Sequence, residues 1–469
     1  MSASHYERLT QLDHSFLIYE GPNAPMHVGV TAVFEAGPLR GSDGTIDVGR
    51  IEEWVLSRLP RIPRYRQRLA RTPLEGHPIW IDDARFNLHY HVRHSALPRP
   101  GDERQLKRTA GRILSQHLDR GKPLWELWLI EGLEGDRLGV VTKTHHCMID
   151  GISGVDLLST LLTREPVEKI EPPVPWTPRP APGDAELVRD RALLALRAPV
   201  DAARALWGAA SDAEARGRLG DRLAALGRVA ASGLAAGSPT PINQPIGPYR
   251  RVDWLPMELG AVRAVAKALG GTVNDVVLAT VAGGVRRFLR RSRQEDVDAL
   301  AFKVMAPVSM RAESERGRLG NRVAAWFVPL PIGEPDPRRR FERVREATQA
   351  LRRSKAALGA DTLTQMTEWT GPALLSLGSR LMTLAPPPFQ MVVTNVPGPR
   401  ETLHLLGAPM LAAHPMVPLL GSLSMGIALF SYRNTLSWGF TADWDLVPDL
   451  HDFALAVDHA FRRLADAAR

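Results

Sequence analysis

The run His145-His146-Cys147-Met148-Ile149-Asp150-Gly151 gathers side chains that can do chemistry. A hydroxyl attacks a carbonyl readily only when a base near neutral pKa, fixed in position, takes its proton, and histidine supplies one. Neighbours on a strand face opposite ways, so only one of the two histidines can serve a given cleft. Asp150, after a turn, is close enough to restrain the segment through a salt bridge or backbone hydrogen bonds. Gly151 permits a backbone conformation, or a close approach, that a side chain would block. Two readings stand at this level: one histidine of the pair is a general base, or both are structural beside a helix-capping aspartate.

The elements around the run must position it. Arg137 to His146 reads as a buried strand and Gly151 to Leu162 as a helix, with the pair at their junction. On that strand Cys147 would share a face with His145 and serve as packing. Further on, Thr272 reads as the N-cap of a helix whose first turn holds Asn274 and Asp275. Ala301 to Val308, Arg322 to Leu330 and Met391 to Asn395 read as strands, the last running into a Val-Pro-Gly-Pro turn. Seven prolines between Pro166 and Pro182 mark an extended linker. Two amphipathic helices are expected between Ala185 and Ala236, and 240–251 is a second Pro/Gly-rich stretch. The expected division is 1–165, a linker at 166–245, and 246–469.

Composition bounds the function. The 469 residues include 59 Lys+Arg and 51 Asp+Glu, a net charge of +8 in a globular composition. One cysteine excludes an intramolecular disulfide framework and any multi-cysteine zinc module. Basic residues are interspersed with acidic ones and no nucleic-acid signature is present, so nucleic acid is not an expected partner. The N-terminal residues carry no apolar stretch of the signal-peptide kind. Between Thr402 and Tyr432 there is no charged residue, but Pro409, Pro415 and Pro418 break any spanning helix, so buried strands of the second half are expected. His89, His91 and His94 have a spacing that could ligate metal from one strand face, yet nothing nearby completes a site; an ordinary surface strand and no metal are expected.

His-His-x-x-x-Asp-Gly resembles the active-site motif of the coenzyme-A-dependent acyltransferase superfamily. More narrowly, the chain resembles the bacterial wax ester synthase/diacylglycerol acyltransferase family along nearly its whole length. The matching blocks are LTQLDHSFLIYE (9–20), PMHVGV (25–30), RYRQRL (64–69), LDRGKPLWELWLIEGL (118–133), the histidine motif, TPINQPIGPYRRV, TVNDVVLA, PVSMR (307–311), LGNRVAAWFVPLP (319–331) and TNVPGP (394–399). The resemblance implies a mixed α/β fold of two chloramphenicol-acetyltransferase-like domains, each a mixed sheet with flanking helices, joined by a helical crossover. It implies transfer of a fatty acyl group from acyl-CoA to diacylglycerol or a long-chain alcohol, with no permanently bound cofactor and acyl-CoA as co-substrate.

On that resemblance His146 is the general base, His145 its support, and Asp150 holds the loop through an arginine, for which Arg311 is the candidate. Asn274 orients substrate or donates to the oxyanion, or else simply caps its helix. Pro123, Leu124, Trp125, Asp275 and Asn395 are candidate substrate contacts. Peripheral association with the inner face of the cell membrane or with lipid droplets is expected in a cytoplasmic protein. A superfamily transferase with a smaller or carrier-bound acyl donor, and a non-enzymatic lipid-surface protein, are the alternatives.

Overall fold

The computed structural model describes residues 6–148, 156–193, 237–309, 323–356 and 388–469. Asp150, Gly151, Arg311 and most of the expected helical crossover lie outside the described residues.

The strand Arg137–His145 is buried from its second residue onward. Val140, Val141, Thr142 and Thr144 are β-branched and suit a sheet covered on both faces. It runs antiparallel to His27–Glu35 on one side and to Trp125–Leu133 on the other. Val92–Ala96 joins the far edge in parallel. At the other edge Ala408–Met416 pairs antiparallel with His27–Glu35, and His404–Leu405 completes six strands. The charge-free stretch is therefore strand and turn, as its prolines imply, but its first long strand belongs to the first sheet and not to the second. The open edge of His27–Glu35 would otherwise expose unpaired backbone, and a strand from far along the chain covers it.

The second sheet has the order Val323–Leu330, Phe302–Ser309, Met391–Val396, Met425–Tyr432, Thr435–Asp443, Arg250–Glu258. Helices Leu259–Ala268, Val273–Ser292, Pro337–Ala356 and Leu450–Ala467 accompany it and share one large apolar core with it. Thr272 caps Val273–Ser292 as expected: Asp275 N–H donates to Thr272 Oγ1 at 3.3 Å, and Asp275 Oδ2 accepts from Thr272 N–H at 2.8 Å. A small third sheet pairs Glu7–Arg8, Pro78–Asp82 and Gln67–Arg71.

Residues 165–183 form no helix or strand, consistent with their prolines. They are anchored nonetheless: Arg179 donates to Asp82 at 2.9–3.0 Å, and Trp176 meets Phe86 edge-on. The sheets meet where helix Glu103–Ser115 packs on Arg250–Glu258. A Cβ on Gly111 would come 2.7 Å from the Arg250 carbonyl, so that contact requires glycine. Arg250, buried, donates from its side chain to the Asn23 carbonyl and from its backbone to Ser115 Oγ at 2.8 Å, tying the halves together.

Candidate active site

The strand ends one residue earlier than its sequence suggests. His145 is its last residue, and His146–Met148 form a single turn of 3-10 helix. Two backbone bonds set this break: His145 N–H donates to Leu124 O at 2.9 Å, and His146 N–H donates to Met26 O at 2.8 Å. Cys147 is therefore in the turn, and the alternation that would pair its face with His145 does not apply. Its backbone N–H instead donates to His145 Nδ1 at 3.1 Å.

That bond sets the tautomer of His145. Nδ1 accepts, so in the neutral ring the proton sits on Nε2. Nε2 points to Glu20 Oε1 at 3.5 Å. His27 lies directly across from His145 in the strand pairing, and its Nε2 also approaches Glu20 Oε1 at 3.5 Å. His117 Nδ1 is 3.6 Å from the same oxygen. Arg120 donates to Glu20 Oε2 at 2.6 and 2.9 Å, and Met26 N–H reaches Oε1 at 3.3 Å. Burial opposes ionisation of Glu20, but His145, His27 and Arg120 together outweigh it and hold the carboxyl well below its usual range. Glu20 is thus a buried anion anchoring one face of the histidine strand. Sequence reasoning quoted the segment that contains it and missed its role. The one available signal was a carboxylate between an apolar helix and the turn Gly21-Pro22.

His146 is placed differently. Its ring stacks on Phe16 of helix Gln11–Tyr19, with centroids 3.8 Å apart and planes at 24°. Nδ1 is buried with no hydrogen-bond partner among the described residues. The residue is half-buried, and its enclosed surroundings lower its pKa to about 4, with His145 adding to the push and a contact with its own backbone opposing it. At neutral pH the ring is an uncharged base. Cys147 lies in the apolar core and burial pushes its thiol pKa well up, leaving it protonated and a poor nucleophile.

Leu124 and Trp125 are fully buried beneath this turn. Trp125 Nε1 donates to Tyr65 O at 2.8 Å, and its ring stacks on His91 at 4.6 Å. Pro123 begins this segment, its carbonyl accepting from Trp125 N–H at 2.9 Å. His89 and His91 lie in a short helix, Leu88–His91, and only His94 is in a strand, which corrects the expected single surface strand. They diverge to Glu52, the Trp125 carbonyl and Glu131 respectively. Polar residues favour the helical turn because Asn87 caps it through the His89 N–H.

In the second half, Asn274 is partly exposed in the first turn of its helix. Both Asp275 oxygens are engaged, Oδ2 in the cap and Oδ1 accepting from Thr348 Oγ1 at 2.7 Å. Asn395 pairs in register with Leu429 near the end of its strand. Lys143 is a second feature the sequence hid. It is fully buried, ion-paired with Glu126 at 2.8 Å, and donates to the Ile113 and Gln116 carbonyls.

Comparison with known proteins decides the family. The model of the wax ester synthase/diacylglycerol acyltransferase catalytic domain matches residues 9–277, and that of the family's C-terminal domain matches 319–465. The chain belongs to this family. A Mycobacterium tuberculosis protein bearing the provisional name diacylglycerol O-acyltransferase is 31% identical over 98% of this chain and 91% of its own length. A second from that organism, with the same kind of name, is 32% identical over 98% and 99%. Among solved structures, the wax ester synthase/diacylglycerol acyltransferase of Marinobacter aquaeolei VT8 superposes with a TM-score of 0.71 at 22% identity, covering 98% of this chain and 99% of that one. The first condensation domain of the CDA synthetase superposes at 0.58 with 18% identity, covering 100% and 97%. These two establish the acyltransferase-like fold, with its mixed α/β sheets. The histidine turn lies within the span matched by the catalytic-domain model.

Proposed function

We propose that this chain transfers a long-chain acyl group from coenzyme A to the free hydroxyl of diacylglycerol, giving triacylglycerol, with fatty alcohols as further acceptors giving wax esters. That it is an acyltransferase follows from the family. The observation that carries the mechanism is the division of labour in the histidine pair. His145 is tied into the protein, its Nδ1 accepting from the Cys147 amide and its Nε2 lying 3.5 Å from Glu20, whereas the ring of His146 stacks on Phe16 and its Nδ1 has no hydrogen-bond partner among the described residues.

His146 Nε2 takes the acceptor's hydroxyl proton as the oxygen attacks the thioester carbonyl carbon. The C–S bond then breaks, and the CoA thiolate leaves with the proton that the imidazolium returns. No covalent enzyme intermediate is needed, and the protonated, buried Cys147 does not offer one. Asn274 is assigned to the oxyanion and Asp150 to the geometry of the loop after His146. Pro123 and Asn395 are assigned to the walls around the substrates and Arg311 to Asp150, while Leu124, Trp125 and Asp275, buried and engaged within the protein, back those walls from behind.

The test is turnover of labelled oleoyl-CoA with diacylglycerol, monoacylglycerol and hexadecanol in parallel. His146→Ala is expected to lower the rate by about 10²–10⁴-fold, the usual contribution of a positioned base, with an unchanged circular dichroism spectrum. Substantial activity in that variant overturns the mechanism. Use of short acyl-CoA alone would favour a transferase with a small donor.

Both substrates are lipids, so we place the protein in the cytoplasm, peripherally on the inner membrane face or on lipid droplets. No single described helix is long and apolar enough to cross a membrane; the pair Leu259–Ala268 and Val273–Ser292, bent by 97°, passes by length and composition only. Their many buried residues suit a core role. Vesicle sedimentation is expected to show binding to anionic lipid that salt weakens; equal binding to neutral vesicles would count against the electrostatic part.

A further inference from the structure

Far along the second half, a pocket of about 490 Å³ is lined by Arg286, Arg287, Arg290, Arg291, Arg340 and Arg463, together with His459. Ligand sites in general occupy about 300–1,000 Å³. No carboxylate lines this one. Its walls come from three elements: the second half of helix Val273–Ser292, the start of Pro337–Ala356, and the last turns of Leu450–Ala467.

Two of the arginines build the floor. Arg286 donates to Asp298 Oδ1 and to the Ile332 and Gly333 carbonyls at 2.7–2.8 Å. Arg340 donates to the Glu334 and Pro335 carbonyls at 2.9–3.0 Å. Gly283 leaves room for Arg340: a Cβ there would lie 2.5 Å from its Nη1. The same Cβ would lie 2.9 Å from Ala460 Cβ, so glycine here also lets the two helices approach. Of the nearby carboxylates, Asp298 pairs with Arg286, Asp458 with Arg462 and Glu334 with Arg343, while Asp336 accepts from the Arg339 amide at the start of its helix.

Arg287, Arg290, Arg291 and Arg463 remain without an ion pair among the described residues. Basic residues in the last turn of a helix are favoured by its dipole, which accounts for Arg290 and Arg291. It does not account for Arg463 and His459, which a different helix brings to the same concavity. Like charges gathered without counter-charge destabilise a fold, and an arginine fork is suited to phosphate oxygens.

We propose that this pocket binds a phosphate-bearing anion, a diphosphate or phosphomonoester, at a site separate from the acyl-transfer centre. The separation rests on position along one helix. Asn274 sits in its first turn, and Arg290 lies 16 residues on, ~24 Å at 1.5 Å per residue.

The experiment compares the full chain with R287Q/R291Q/R463Q, and with R104Q/R108Q/R112Q as a control that removes equal charge from an exposed helix face. Inorganic pyrophosphate is titrated calorimetrically, and phosphatidylcholine vesicles with and without phosphatidic acid are sedimented with the protein. The pocket variant is expected to lose affinity by on the order of tenfold or more, while the control keeps it and the KM for acyl-CoA is unchanged in both. Loss confined to pyrophosphate supports a soluble phosphate ligand. Loss confined to phosphatidic acid supports a lipid headgroup. If neither probe separates the pocket variant from the native chain, or the control loses as much, there is no such site. A parallel rise in the KM for acyl-CoA would make the pocket part of the donor site and overturn the proposed separation.

Discussion

A reaction base must be uncharged when its substrate arrives. Enclosure lowers the pKa of His146 to about 4, well under the ordinary value near 6.5. The neutral form therefore predominates above about pH 5. We expect kcat/KM, measured where the protein is still folded, to show no acid inflection near 6.5. A limb at the ordinary histidine value would show that another group, or an opened site, governs the proton. The motif was legible as chemistry because two histidines before Asp-Gly is an uncommon pattern. Which histidine acts was not legible from spacing. That depends on the Cys147 amide, Glu20 and Phe16, and on a strand ending at residue 145, where the sequence pattern ran on to 146. Glu20 escaped notice because a single glutamate gives no sign of being buried until its three histidine neighbours are assembled.

The elements themselves followed local rules. Thr272 and Asp275 form a reciprocal cap at the helix that carries Asn274. Met391–Val396 runs one residue past its expected end, and the expected Val-Pro-Gly-Pro turn is not formed; Gly398, in the segment that follows, has a physical reason to be glycine. A Cβ there would sit 2.2 Å from the Ser431 carbonyl and 2.5 Å from the Phe430 ring. The obstacle is backbone, so it cannot swing aside. Gly398→Ala is expected to destabilise the protein by ~1–3 kcal/mol through overpacking, read as a lowered urea midpoint, while Gly21→Ala, with open space around its position, is expected to be near neutral. Equal effects would mean that the strand end yields freely. The histidine-rich segment 89–94 was misread for a related reason. Its alternation suits a strand, but the Asn87 cap starts a helical turn first. Local capping outweighs two-residue periodicity over so short a span.

At the scale of the whole molecule, pairing between distant parts of the chain was the least legible feature. Ala408–Met416 is sequentially deep in the second half, yet it closes the first sheet. It crosses close over Thr435–Asp443, where a Cβ on Gly439 would collide with the Pro415 carbonyl. His414 on this strand is stacked on Trp254 at 4.4 Å and shares a 2.7 Å hydrogen bond with Ser437 Oγ. Burial, with Lys107 assisting, lowers its pKa to about 3. His27 and His91, also buried, are lowered to about 4, chiefly by desolvation. In the unfolded chain all three return to about 6.5. Between roughly pH 6.5 and 4 the unfolded state therefore binds protons that the folded state refuses, and stability must fall as pH falls through this window. Each histidine at a pKa near 4 forfeits on the order of 3 kcal/mol across it. Glu20, held ionised by its neighbours, works in the same direction at lower pH. Urea titrations at steps from about pH 7 to 4.5 should show the midpoint dropping steadily. Because His27 and His414 sit on strands of the first sheet, the second packed on Trp254 of the other, both halves should lose structure together. A midpoint independent of pH, or separate transitions for the two halves, would contradict a fold locked by this crossing strand and its neutral histidines.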